Sequence, residues 1–313
     1  VTEPIATPLN AAQRDVLAQL GAKPTERPEF DPDLRDELRV ELEAGLAPAV
    51  RSLPDGADLF LSKATVESVH SCEARFLADR DFSWTPASAR GVVAHKAIEL
   101  AVTRPRDRAP LDLVDEALAV LEHDGYGVGD WLQRTDEATL DAVRAEANTY
   151  VCKFLDCWPP LERPWRPATE VSIRAELFEG RVTLAAKPDL TVGRSEGNRA
   201  GKVIVDFKTG SWAPGHRADL RFYALVDTLR VGTPPRLVVT SYLDSGRLEP
   251  EAVTLDVLHA EVRRTIDAGT KVVALRTGVR EPARQPGPGC RWCPLAEDCG
   301  PGGDYLEELD PEW

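Results

Sequence analysis

Val203-Ile204-Val205-Asp206-Phe207-Lys208 is a run of β-branched and aromatic residues that carries two opposite charges two positions apart. Side chains alternate faces along a strand, so Asp206 and Lys208 share one face of a sheet. Upstream, Pro188-Asp189 places a second carboxylate in another strand-like segment, 181–192, and the polar, glycine-containing stretch 193–201 joins the two. Hairpin-like pairing would bring Asp189 beside Asp206. Two carboxylates at a sheet edge suit a hard divalent cation such as Mg²⁺, which takes oxygen ligands and keeps several waters. A lysine beside such a cation can position a water nucleophile or stabilise developing charge, which is the chemistry of phosphodiester hydrolysis. The same Asp-x-Lys spacing also serves as a structural ion pair at a strand end.

Working outward, alternation of Val171, Ile173, Ala175 and Leu177 with Glu170, Ser172, Arg174 and Glu176 predicts a strand over 170–177. Helical spacing is expected over 59–80, 88–103, 111–123 and 136–157, so the first half is mainly α. After the lysine strand, a helix is expected over 216–229, a strand over 236–243 and a helix over 256–274. Near the N-terminus a helix over 33–45 puts Leu34, Leu38 and Leu42 on one face. The order implies an α/β fold with a mixed sheet core flanked by helices. The expected organisation is an acidic helical N-terminal extension at 1–58, a catalytic domain at 59–301 and an acidic tail at 302–313.

Composition narrows the function. The chain has 313 residues and 52 acids against 38 bases, a formal charge of −14, which excludes a short peptide and a bulk polycation. No run approaches the roughly 18 apolar residues of a membrane span, and Val1-Thr2-Glu3-Pro4-Ile5 has no leader pattern, so a cytoplasmic protein without a membrane partner is expected. The charge is uneven. Residues 1–60 hold 12 acids and 6 bases and residues 302–313 hold 5 acids and no base, whereas 174–221 has 9 bases to 6 acids and 259–293 has 7 to 3. A nucleic-acid path is therefore expected along the two basic segments, with the acidic ends repelling phosphate.

The Pro-Asp…Asp-x-Lys pattern resembles the PD-(D/E)XK nuclease superfamily, and Val205-Asp206-Phe207-Lys208-Thr209-Gly210 is similar to its RecB-like branch. The resemblance implies a restriction-endonuclease-like fold. It also implies a metal-ligating His on an upstream Gly-x-x-x-His helix, for which Gly91-Val92-Val93-Ala94-His95 stands, with Glu99 one turn on. A Glu on the strand before the Pro-Asp hairpin is matched by Glu170. The branch's Gln-x-x-x-Tyr helix is matched in spacing by Asp219-Leu220-Arg221-Phe222-Tyr223, with Asp in place of Gln. A carboxylate cannot donate a hydrogen bond to phosphate as an amide can, and Arg217 and Arg221 on the same helix are candidates for that contact. The implied metal site is His95, Asp189, Asp206 and the Phe207 carbonyl around Mg²⁺ or Mn²⁺, with Lys208 and Tyr223 alongside.

Cys290-Arg291-Trp292-Cys293 and Cys299 place three thiols within ten residues of a glycine- and proline-rich segment. Zinc and an iron–sulfur cluster both accept four thiolates. The remaining cysteines are Cys72, Cys152 and Cys157, and the last two are expected to be apolar fillers of a helix. The order of one cysteine, then the nuclease motifs, then three cysteines resembles the iron–sulfur RecB-like nucleases, including AddB and CRISPR-adaptation nucleases. That resemblance implies a [4Fe–4S] cluster on Cys72, Cys290, Cys293 and Cys299, with zinc as the alternative. The expected activity is a metal-dependent exonuclease on single-stranded DNA in repair, recombination or defence. The rivals are an inactive nuclease-fold subunit of a helicase or repair complex and a zinc-stabilised DNA-binding protein.

Overall fold

The computed structural model describes residues 8–78, 83–104, 108–124, 127–213 and 215–309. Its N-terminal half comprises α1 (Ala11–Leu20), α2 (Leu34–Arg51), β1 (Leu59–Ser62), α3 (Lys63–Ser71), α4 (Glu73–Ala78), α5 (Pro86–Thr103), α6 (Pro110–Asp124), α7 (Val128–Arg134) and α8 (Glu137–Cys157). Then come β2 (Ala168–Thr169), β3 (Ile173–Leu177), β4 (Val182–Ala186), β5 (Leu190–Val192) and β6 (Val203–Lys208). The chain continues through α9 (Gly215–Val231), β7 (Leu237–Tyr242), β8 (Arg247–Ala252), α10 (Leu255–Arg276) and α11 (Gly300–Leu309). Among the described residues no helix is long and apolar enough to cross a membrane.

Two mixed sheets form, ordered β1-β4-β3 and β2-β5-β6-β7-β8, and helices flank them. β6 is the pivot. It pairs antiparallel with β5 and parallel with β7, and its first five residues are buried, as expected of a strand covered on both faces. Ile204 faces a core built with α2, α9, α10 and the smaller sheet. Val203, Val205 and Phe207 face a second core built by α5 to α8. Asp206 lies on the Ile204 side of the strand.

Three expected elements are divided. The segment 181–192 is two strands in different sheets, β4 and β5, because Lys187-Pro188-Asp189 interrupts it and Pro188 has no N–H for a ladder. The segment 170–177 is broken at Glu170, whose φ of 53° takes the backbone out of extended geometry. The segment 59–80 begins with a strand, β1, before Ser62 caps α3; residues 79–80 lie outside the described residues, as do 310–313 of the expected tail.

The helix expected over 33–45 runs on to Arg51. It continues because Leu46, Ala49 and Val50 extend the stripe of Leu34, Leu38 and Leu42 into the larger core. α2 crosses α10 closely: a Cβ on Gly269 would meet Leu46 at 2.6 Å, and Leu59 and Leu61 at 3.4 Å. α2 thus packs directly on the layer that carries β1. Leu42→Ala should lower the unfolding free energy by about 2–5 kcal/mol in denaturant titration, because a fully buried side chain leaves a cavity; a loss below about 1 kcal/mol would place α2 outside the cooperative core.

Candidate active site

The breaks in the strands are what build the site. Asp189 follows Pro188 at the mouth of β5, and its Oδ2 accepts a hydrogen bond from the Phe207 backbone N–H at 2.6 Å. The other oxygen lies 3.3 Å from Nδ1 of His95 on α5. Glu170, turned inward at the kink between β2 and β3, pairs with Lys187 at 2.6 Å. One ligand atom from each of His95, Glu170 and Asp189 lies within 4.8 Å of the others, a group that could hold a metal ion. The set of oxygens and one imidazole fits Mg²⁺ or Mn²⁺.

Phe207 fixes this arrangement from behind. Its ring meets those of Phe154 and Trp158 edge-on, with centroids 5.4 and 5.5 Å away, and lies 6.5 Å from the His95 ring. Apolar packing of residue 207 therefore sets the positions of residues 206 and 208.

Asp206 is 3% exposed, lies on the Ile204 side of β6 and is not part of the His95, Glu170 and Asp189 group. Lys208 Nζ stands 2.7 Å from its Oδ2, and Lys63 Nζ, from the first turn of α3, 3.4 Å from its Oδ1. Burial alone would raise the Asp206 pKa, but the two ammonium groups prevail and hold it below the ordinary carboxylate range. Asp219 lies 3.7 Å from Lys63 and 3.8 Å from Lys208. The Lys63 ammonium also sits 5.4 Å from the centre of the Tyr223 ring, and burial raises the Tyr223 hydroxyl well above its usual value. His95 is pushed up despite burial, because Asp189 favours the imidazolium. Burial pushes the Glu170 carboxyl up.

These residues border a cavity of about 640 Å³ that includes His95, Glu170, Asp189, Phe207 and Lys208. Glu99 also lines it, bound by Lys96 at 2.7 Å. Arg221 is held by Glu251 through an Nε–Oε2 bond of 2.9 Å and a second contact, while Arg217 is exposed on α9. Lys63, Lys187 and His216 lie outside the sequence motifs. Lys187 had a signal, as the residue before Pro188-Asp189. His216 is another wall of the cavity, bonded through Nδ1 to the Tyr242 hydroxyl at 3.1 Å. Lys63 had none, since only the fold carries α3 to β6.

Cys72, Cys290, Cys293 and Cys299 all line a second cavity, of about 290 Å³, and none forms a disulfide. Backbone N–H groups of Gln285 and Gly287 donate to the sulfurs of Cys72 and Cys290 at 3.5 and 3.4 Å. A Cβ on Gly302 would meet the sulfurs of Cys299 and Cys290 at 3.2 and 3.5 Å, so glycine there leaves room for them. The segments are further joined by Glu73, which accepts the Ala283 N–H at 3.0 Å and pairs with Arg280 at 2.8 Å. Cys157 packs against the second core, away from this cavity.

Residues 61–300 match the PD-(D/E)XK nuclease superfamily. The chain belongs to this superfamily. Its members generally use divalent metals, and the matched span contains the whole of the His95, Glu170 and Asp189 group. Among solved structures, the chain is similar to “Putative exonuclease” from Eubacterium rectale, at 12% identity and a TM-score of 0.48, over 80% of this chain and 92% of that one. It is also similar to SSO0001, at 11% identity and a TM-score of 0.38, over 83% and 94% of the two chains. No curated protein matches.

Asp219 supplies a pH signature. Burial pushes its carboxyl from an ordinary 3.8 up to about 6, against the pull of Lys63. A raised acid binds its proton more tightly folded than unfolded, so its contribution to stability falls as pH rises from about 4 and is fully lost above about 6, by on the order of 2–3 kcal/mol. Asp219→Asn lacks this titration. In metal-free denaturation the stability of the variant relative to wild type should rise between pH 4 and pH 7.5; a flat or falling difference would show that the two lysines fully offset the burial.

Proposed function

We propose that the protein is a metal-dependent deoxyribonuclease acting on single-stranded DNA, as an exonuclease, within a catalytic domain at about 59–301. The observation that carries the reading is the convergence of His95, Glu170 and Asp189 beside the Asp206–Lys208 pair. His95, Glu170 and Asp189 would hold Mg²⁺ or Mn²⁺, and the Asp206 carboxylate and Phe207 carbonyl, the further ligands the motif implies, would join them from the end of β6. When bound, the cation supplies Lewis-acid polarisation of the scissile phosphate and makes water a better nucleophile at neutral pH.

The chain's own residues do the rest. Asp206 orients the Lys208 ammonium, which is placed to align the attacking water and to meet charge developing on the phosphate. Lys63 lies on the other oxygen of Asp206 and limits that carboxylate's rotation. Asp219 occupies the position of the family's Gln. In its protonated form, favoured up to about pH 6, it has an O–H with which to donate, as an amide does. Its Oδ1 is buried without a hydrogen-bond partner among the described residues, as expected of an atom awaiting a donor or a water. Arg217 remains open for a backbone phosphate, whereas Arg221 would have to leave Glu251 to reach one.

The four-cysteine cavity is read as the seat of a [4Fe–4S] cluster that staples Cys72 to the C-terminal segment. The four thiols lining one cavity, with glycine at 302 leaving room beside two of them, support a centre held by all four cysteines. The sulfurs' backbone donors are a further feature of such sites.

Labelled single strands incubated with Mg²⁺ or Mn²⁺ should be shortened from an end. Asp206→Ala and Lys208→Ala should each reduce the rate by at least about a hundredfold, and chelation should abolish it. Variants as active as wild type would overturn the site, and would favour an inactive, DNA-binding subunit of a helicase or repair complex. Anaerobically purified protein should be brown, with about four iron and four sulfide per chain, and Cys290→Ser should bleach it; colourless protein with one zinc would assign the cavity to zinc and leave the nuclease reading in place.

A further inference from the structure

At the other end of the large sheet, where β6 and β7 begin, lies a separate cavity of about 460 Å³. It is edged by Arg27, Arg166, Arg194 and Arg236 against one acid, Glu196, and its walls include Trp158 and Trp165. The arginines come from four separate segments. Arg27 follows the turn Pro24–Glu26, Arg166 follows Arg163–Trp165, Arg194 follows Gly193 at the end of β5, and Arg236 precedes β7. The loops are tied together, since the Gly193 N–H donates to the Trp165 carbonyl at 2.6 Å and the Arg236 N–H to the Lys202 carbonyl at 2.8 Å.

None of the four arginines has a carboxylate ion pair among the described residues, although most basic residues lining the catalytic cleft do. The Arg27 Nε is buried with no hydrogen-bond partner among the described residues. Among the described residues the Arg236 side chain bonds the Leu20 carbonyl, and burial together with Arg27 weakens its hold on its proton. Arg27 and Arg236, half-buried, bear a desolvation cost that an anion would offset, and exposed Arg166 and Arg194 add positive charge at the mouth. Guanidinium groups match phosphate oxygens in bidentate geometry, and an indole face adds stacking for a flat ring.

We propose that this cavity binds a nucleotide, with the phosphate on the arginines and the base against Trp165 and the adjoining apolar wall. Val203 lines the cavity and Asp206 lies three residues along the same strand, so the two sites are on the order of 10 Å apart along β6. The site is thus distinct from the catalytic cleft and does not depend on the metal. Two sources share the chemistry: a free mononucleotide, such as a product of hydrolysis, and the phosphorylated end of a strand.

Calorimetry on the full chain in the presence of a chelator tests this with deoxyadenosine 5′-monophosphate, inorganic phosphate and deoxyadenosine as probes. The monophosphate should bind at one per chain and more tightly than either fragment. Arg166→Ala combined with Arg194→Ala, both at exposed positions whose loss should leave the melting temperature unchanged, should weaken it at least about tenfold. Lys208→Ala should leave it intact. A 5′-phosphorylated oligonucleotide that displaces the monophosphate identifies a strand end as the ligand; failure to displace identifies the free nucleotide. Absence of binding, or equal binding by the double variant, would overturn the proposal. Binding lost in Lys208→Ala but kept in the double variant would also overturn it, locating the nucleotide in the catalytic cleft and leaving the nuclease reading untouched.

Discussion

The Asp189 carboxylate holds the site together. One oxygen takes the Phe207 N–H and the other faces His95, so a single side chain joins the mouth of β5, the end of β6 and the middle of α5. That carboxylate is available because Pro188 interrupts the strand and frees the next residue from the ladder. Phe207 then resists displacement, because its ring is packed against Phe154 and Trp158 in the helical core. A hydrophobic anchor at Phe207 fixes the end of β6 beside the charged site, which is the arrangement a preorganised catalytic centre requires.

Electrostatic balance follows from that geometry. Five acids, Glu99, Glu170, Asp189, Asp206 and Asp219, gather with Lys63, Lys96, Lys187 and Lys208. The lysines are distributed one-sidedly: Asp206 has two close cations, Glu170 and Glu99 have one each, and Asp189 has only His95 as an ion-pair partner among the described residues. Negative charge is therefore least compensated at Asp189, where a divalent cation would be most strongly drawn. The total charge of −14 is accordingly a poor guide to substrate. Local fields at the cleft and at the distant arginine cavity carry the information.

Much of the fold was legible because its signals were local. Helices α5, α6, α8, α9 and α10 lie within two or three residues of the periodic segments that announced them, and β6 announced itself by its apolar run. What was not legible depended on long-range partners. The split of 181–192 between two sheets, the strand at Leu59–Ser62 and the pairing of Leu237–Tyr242 with Arg247–Ala252 are decided by neighbours distant in sequence or by a turn with a weak signal. The site followed the same rule. His95, Asp189, Asp206 and Lys208 are marked by motif spacing, whereas Lys63 joins them only because the fold brings the first turn of α3 to Asp206.

Titration of metal-free protein with Mn²⁺, followed by calorimetry, tests the central claim most directly. The account predicts one specific ion bound per chain by the wild type and loss of that uptake in Asp189→Asn, with the melting temperature of the apo form little changed. Equal Mn²⁺ binding by wild type and variant, or no specific uptake by the wild type, would contradict it.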